Sequence, residues 1–169
     1  MLFRSNPDDI AQEQFGDWNS SEAVLKAANW VTERREQLLA SGAGIAFETV
    51  FSAQDKVLFL ERARAAGYFV RVFFVGTSDP RINAARVAQR VMAGGHSVPI
   101  EKIISRYSKS MTNLVAAIAI SDRVYIYDNS LEGKAARLCA RTRDGALHKA
   151  YGDLPAWVED ALRDLPDPA

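Results

Sequence analysis

Residues 68–75 read Tyr-Phe-Val-Arg-Val-Phe-Phe-Val. Aromatic and β-branched side chains lose freedom in a helix and pack well on a pleated surface, so this run is a strand. With Arg71 as its lone charge, it is expected at or near the centre of a sheet. Gly67 closes what precedes it, and Gly76-Thr77-Ser78-Asp79-Pro80 leads out of it. Asp79 is a good N-cap, Pro80 suits the first helical position, and Gly94-Gly95 can take the left-handed angles that stop a helix. Arg81 to Ala93 is therefore predicted helical.

The same alternation extends in both directions. Upstream, Ser52 is expected to cap a helix over Ala53–Ala66, and Gly44-Ile45-Ala46-Phe47-Glu48-Thr49 reads as a short buried strand. Downstream, Pro99 starts a helix carrying Arg106 and Tyr107, Ser110 to Ser121 is read as another, and Val124 to Tyr127 is a strand. Strands alternating with helices from Gly44 to Asp128 indicate an α/β fold, a parallel sheet with helices on both faces.

The ends are built around this centre. Met1–Ser5 is read as the end of a strand, followed by a short helix to Phe15. Asn19 and Glu22 form a capping box for a long helix, Ser20 to Ala40, with Ala23, Val24, Ala27, Val31 and Leu38 at helical spacing. Arg137–Thr142 and the Arg143-Asp144-Gly145 turn suggest an edge hairpin. A last helix, Ala156–Arg163, docks through Trp157, Val158 and Leu162.

Length and composition bound the rest. The 169 residues fit one domain, 1–169, and 48% apolar content suits an ordinary globular core. Twenty-one basic and twenty-one acidic residues cancel, so neither nucleic acid nor an anionic membrane is suggested as a partner. A single cysteine, Cys139, excludes an internal disulfide and a multi-cysteine metal site, and it reads as an inert strand residue. No metal-ligand set is apparent. With no leader and no membrane-length apolar run, the cytoplasm is the expected compartment.

Against this neutral background, residues 81–110 hold Arg81, Arg86, Arg90, Lys102, Arg106 and Lys109 beside one acid, Glu101. Arg86 and Arg90, four apart, project from one helical face and repel each other unless an anion compensates them; planar guanidinium forks suit phosphate oxygens. A solvated cationic face is the equal alternative on charge alone. Glu48 and Thr49 stand at the carboxyl end of a strand, where ligands gather in open parallel sheets, although Glu48 could equally serve the following helix N-terminus. Asp8 is either a helix cap or a functional carboxylate. His96, at the Gly-Gly corner, reads as a structural hydrogen-bonding residue.

Three segments together carry a family resemblance: Asn6-Pro7-Asp8-Asp9-Ile10-Ala11, Phe47-Glu48-Thr49, and the R-V-x-x-R-V-x-x-G-G-H-x-V-P pattern from Arg86 to Pro99, followed by I-x-x-R-Y at Ile103–Tyr107. This combination, over about Phe3 to Ser130, resembles the zeta-toxin-like P-loop kinases. The resemblance implies a three-layer α/β/α fold and phosphoryl transfer from ATP, with Mg2+, to a small-molecule hydroxyl, a nucleotide sugar such as UDP-N-acetylglucosamine in the toxins themselves. It implies that residues 81–110 are a lid in which Arg90 and Arg106, with Arg86 as a further candidate, reach the nucleotide phosphates. It places Asp8 at the substrate hydroxyl as base or orienter, Glu48 and Thr49 on the acceptor, and Asp128 and Asn129 near the adenine, although Asp-Asn-Ser is also an ordinary turn.

One part of the pattern is not present. The phosphate-cradling G-x-x-x-x-G-K-[ST] loop does not occur: Gly133-Lys134 is followed by Ala135, and Gly42-Ala43-Gly44 precedes a strand. In the family this loop and its strand come just before the segment matching Phe3 to Ala11. The P-loop strand is accordingly expected to be missing from the sheet, leaving open edges to be closed by a rearranged strand, by self-association or by an upstream polypeptide. The chain is thus read as a zeta-toxin-like phosphotransferase, incomplete or inactive without that loop, with an antitoxin as a potential partner. The alternative is a non-catalytic remnant that binds a ligand or a protein.

Overall fold

The computed structural model describes residues 3–5, 21–95 and 97–166. Contacts divide the chain into two compact units, Met1–Thr49 and Val50–Ala169. The short helix expected before Phe15, the Asn19 cap and the candidate base Asp8 lie outside the described residues, as does His96.

In the first unit, strand β1 (Phe3–Ser5) runs parallel to β2 (Ile45–Phe47), with Phe3 opposite Ile45 and Ser5 opposite Phe47. Helix α1 (Ser21–Ala40) lies between them in sequence. Its buried face is Ala23, Ala27, Val31 and Leu38, as the spacing requires, and it also takes in Arg35. The Arg35 guanidinium lies 4.4 Å from the centre of the Phe47 ring, a cation–π contact that makes its burial tolerable. Glu22 pairs with Lys26 one turn on, at 2.7 Å, and that neighbour holds its carboxyl below the ordinary 4.5.

The second unit is a four-stranded sheet, β3 (Arg71–Gly76), β4 (Arg123–Asp128), β5 (Arg137–Arg143) and β6 (Ala146–Ala150), in that spatial order. β3 and β4 are parallel, and β4, β5 and β6 are antiparallel, so the expected C-terminal hairpin is present. Asp144, at φ 48°, and Gly145, at φ 83°, both take left-handed backbone to make its turn. β3 is not central: among the described residues it pairs with β4 alone and ends the sheet. Its apolar run looked two-sided, but Phe73 and Val75 face solvent, 59% and 56% exposed.

The helices of this unit are α2 (Gln54–Ala65), α3 (Pro80–Met92), α4 (Ile100–Ile120) and α5 (Ala156–Leu162). Val57 of α2, Leu114, Ala117 and Ile118 of α4, and Trp157, Val158, Ala161 and Leu162 of α5 form one core with Phe74, Val124, Ile126, Cys139 and Ala140 of the sheet. Cys139 is buried, as an inert strand residue should be.

Two helix expectations need correction. α2 starts at Gln54 with Ala53 as N-cap and no side-chain cap, so Ser52 does not cap it; Asp55 supplies negative charge in its first turn instead. Residues 100–120 form one continuous helix, where two were expected with a break at Ser110. The hydroxyls of the polar run bond back along the helix. Ser108 Oγ donates to the Ile104 carbonyl at 3.3 Å, Ser110 Oγ to Tyr107 at 2.8 Å, and Thr112 Oγ1 to Ser108 at 3.3 Å.

Candidate functional site

The segment expected to form a lid, residues 81–110, is built by local signals acting as read. Asp79, extended at φ −152°, accepts from the Arg81 amide at 2.7 Å, and Pro80 opens α3. The Arg81 guanidinium returns to the same carboxylate, its Nε 2.9 Å from Oδ2. Hydrogen bonding to Arg81 holds the Asp79 carboxyl below its ordinary 3.8, and Asp79 in turn raises Arg81. Arg81 is therefore committed to the helix start and leaves the cation cluster.

Arg86, Arg90 and Arg106 differ from it. Arg86 and Arg106 are half-buried and Arg90 is exposed. None of the three makes an ion pair or a side-chain hydrogen bond among the described residues. The like-charge repulsion that α3 accepts is thus not offset within the described chain, which leaves the guanidinium forks free for an anion. No residue of α3 is fully buried. The lid helix is therefore held by its ends and by α4, with which it packs.

Those attachments were not evident from the sequence. Tyr107, next to Arg106, donates from its hydroxyl to the Thr77 carbonyl at 2.8 Å, tying α4 to the loop that leaves β3. Burial, and then the charge of Asp79, push the Tyr107 phenol above its ordinary 10. The buried Thr77 hydroxyl lies 3.3 Å from both the Asp79 carbonyl and Asn83 Oδ1. Gln89 Nε2 donates to Glu132 at 3.3 Å, a second link from α3 to the segment after β4. The Arg-Tyr pair at 106–107 was the sequence signal for Tyr107; Thr77 carried none.

Gly94-Gly95 does more than end the helix. Gly94 takes φ 91°, while a side chain on Gly95 would place its Cβ 2.7 Å from Arg90 Cγ and 2.9 Å from the Arg90 carbonyl oxygen. The Arg90 stem thus occupies the space that a Cβ at Gly95 would need. Gly95→Ala is expected to displace the Arg90 side chain while leaving the core intact. An unchanged melting temperature with weakened phosphate binding, read by calorimetry with inorganic triphosphate, checks this.

Asp128 and Asn129 sit at the end of β4 beside the end of β3, where Asn129 N donates to the Gly76 carbonyl at 2.8 Å. Asp128 Oδ1 accepts from the Trp157 indole at 3.0 Å and from the Ser130 hydroxyl, and Ser130 Oγ accepts from the Ser78 amide at 2.9 Å. One carboxylate oxygen therefore joins α5, the β4 end and the β3–α3 loop. Glu48 and Thr49 are exposed immediately after β2 and belong to the first unit, whereas the lid and Asp128 belong to the second. No three His, Cys, Asp or Glu side chains gather to hold a metal ion among the described residues. No described helix is long and apolar enough to cross a membrane.

Comparison with known families decides the relationship. The zeta toxin profile matches residues 7–137, well over half of the chain. The chain belongs to the zeta toxin family. The zeta toxin match spans all eight candidate residues, Asp8, Glu48, Thr49, Arg86, Arg90, Arg106, Asp128 and Asn129. Among solved structures, a chain of the PezAT chromosomal toxin–antitoxin system of Streptococcus pneumoniae is similar, with TM-score 0.55 and 16% identity. The likeness covers 97% of this chain and 66% of that one, so this zeta toxin sequence spans just under two thirds of its neighbour's length. The architecture is thus that of a P-loop-kinase-like α/β fold. Comparison with curated proteins gives no match.

Proposed function

We propose that the chain, residues 1–169 acting as one catalytic domain, is an ATP-dependent phosphotransferase of the zeta toxin kind. The acceptor is a hydroxyl of a small molecule, of the nucleotide-sugar class. The observation that carries this reading is the lid: Arg86, Arg90 and Arg106 come from two packed helices, and none has a carboxylate partner among the described residues. Phosphoryl transfer asks little covalent chemistry of a protein and much positioning and charge stabilisation. Three uncommitted guanidiniums suit that demand.

The roles follow from residue chemistry. Arg90 and Arg106 neutralise charge on the transferring phosphoryl group, and Arg86 adds to the field along the phosphates. Glu48 accepts from hydroxyls of the acceptor and Thr49 donates to or accepts from them, while Asp8 orients the attacking hydroxyl and takes its proton. Asn129, and the Asp128 oxygen not engaged by Trp157, lie toward the base. No cluster of described carboxylates would hold magnesium, so the ion would arrive with the nucleotide and would supply charge neutralisation there. The compartment is the cytoplasm, and the partners are an antitoxin and a further copy of the chain at an open sheet edge.

A second reading, a non-catalytic ligand- or protein-binding remnant, is favoured by one observation. The sequence contains no G-x-x-x-x-G-K-[ST] loop, and without that cradle phosphate binding falls to the lid alone. Transfer of labelled γ-phosphate to a panel of nucleotide sugars separates the two. With a G-x-x-x-x-G-K-[ST] loop supplied, Asp8→Ala is expected to abolish transfer while leaving ATP binding in place. Unchanged turnover would remove Asp8 from the mechanism, and ATP binding without turnover in the unsubstituted chain would favour the remnant.

A further inference from the structure

One residue bonds to both of the helices that carry Arg86, Arg90 and Arg106. Thr77, in the loop between β3 and α3, accepts at its carbonyl from the Tyr107 hydroxyl of α4, 2.8 Å away. Its own hydroxyl, which is buried, lies 3.3 Å from Asn83 Oδ1 of α3. The residues on either side of Thr77 are tied down as well. The Gly76 carbonyl accepts from the Asn129 amide at 2.8 Å, and the Ser78 amide donates to Ser130 Oγ at 2.9 Å. Thr77 is thus a fixed point at the end of the sheet, with one bond to each helix.

Both helices need such a point. α3 has no fully buried residue, so apolar packing holds it weakly. α4 is anchored in the core through Leu114, Ala117 and Ile118, two to three turns beyond Tyr107, and ahead of Ser110 its one fully buried residue is Ile103. Asn83, Arg86 and Arg90 stand at i, i+3 and i+7 along one face of α3. The bonds at Thr77 therefore act close to the guanidiniums. Arg86 is about 4.5 Å along the helix axis from Asn83, and Arg106 about 1.5 Å from Tyr107. Because burial and the charge of Asp79 push the Tyr107 phenol above its ordinary 10, the hydroxyl keeps its proton at neutral pH.

We infer that Thr77 is the joint that sets the spacing of the two helices, and that Tyr107 and Thr77 are positioning residues for a polyphosphate, which rests on the phosphate-binding reading of the three arginines proposed above. A polyphosphate held by both helices needs Arg86 and Arg90 of α3 and Arg106 of α4 in place together. Helices that swing about the β3–α3 loop bring them together for only part of the time, and the apparent affinity falls by that fraction. Neither Tyr107 nor Thr77 touches the ligand in this account; they act through the arginines beside them.

Two conservative variants separate the two bonds. Tyr107→Phe removes the donor and keeps the ring, whereas Thr77→Val removes the hydroxyl and keeps the carbonyl that Tyr107 uses. Amide hydrogen exchange of the ligand-free 169-residue chain is expected to quicken about two- to tenfold across residues 100–108 in Tyr107→Phe, the factor that one hydrogen bond supplies. In Thr77→Val the faster exchange should fall on residues 80–90 instead, and Leu114–Ile118 should be unchanged in both. Calorimetry with inorganic triphosphate should show Tyr107→Phe binding about two- to tenfold more weakly at an unchanged melting temperature, with little further loss when Arg106→Ala is already present. Unchanged exchange in both variants, or exchange quickened equally through Leu114–Ile118, would overturn the joint. An equal loss of binding with and without Arg106 would overturn the positioning role of Tyr107. No triphosphate binding by the unsubstituted chain, with the exchange pattern as expected, would instead contradict the phosphate reading and leave the joint standing. Should one variant fail to fold, the exchange pattern of the other still decides whether Thr77 holds its helix.

Discussion

Replacing Trp157 by alanine is expected to lower the unfolding free energy by about 3–5 kcal/mol, the usual effect of removing a large buried aromatic. Trp157 is buried, packs at a tilt 6.3 Å from Phe74 and donates its indole N–H to Asp128. Its loss opens a cavity under β3 and leaves the Asp128 oxygen with Ser130 alone. The same contact dictates glycine at 76: a Cβ there would lie 2.6 and 2.9 Å from two Trp157 ring carbons and 3.1 Å from Phe74. Gly76→Ala should therefore cost about 1–3 kcal/mol as an overpacking change. Because both substitutions act at one contact, they are expected to be non-additive, and alanine at 76 should cost much less once Trp157 is gone. Urea unfolding of both single variants and the double variant checks this. Simple additivity would mean that the ring does not fix residue 76.

This coupling shows what the sequence could and could not reveal. The residue-level signals that act over a few positions were legible. Asp79-Pro80 and Gly94-Gly95 bound the lid helix, the 137–145 pattern makes a hairpin, and Ala27 and Val31 turn inward. Signals that depend on a distant partner were not. Trp157 was read as a docking residue, but its bond to Asp128, 29 positions earlier, depends on how α5 meets the sheet. Arg35 on the buried face of α1 had no local signal, because a guanidinium is tolerated there only where an aromatic ring covers it, and Phe47 supplies that ring.

The candidate site divides the same way. The types and local placement of Arg86, Arg90 and Arg106 could be read from spacing, whereas the removal of Arg81 by Asp79 and the tether from Tyr107 to Thr77 required the fold. Asp128 was read for the nucleotide, and the structure adds a structural duty through Trp157 and Ser130. The apolar run at 68–75 was read as a strand, and the strand it forms is Arg71–Gly76, starting three residues later; its rank in the sheet depends on which strands flank it, and no local pattern encodes that.

The lid arginines carry the second large effect. A hydrogen bond to a charged group contributes about 1.5–3 kcal/mol. Replacing Arg90 and Arg106 together by alanine should therefore weaken Mg-ATP binding by roughly two to four orders of magnitude. Arg81→Ala should change it little, because that guanidinium is already engaged by Asp79. Both variants should keep the unsubstituted chain's unfolding midpoint, since none of the three arginines is in the core.

Calorimetric titration of the 169-residue chain with Mg-ATP, alongside the Arg90→Ala, Arg106→Ala double variant, tests the central claim most directly. Binding in the micromolar range that disappears in the double variant is the expected result, and it would place the phosphates under the lid. No binding to the unsubstituted chain, or binding that survives loss of both arginines, would contradict it.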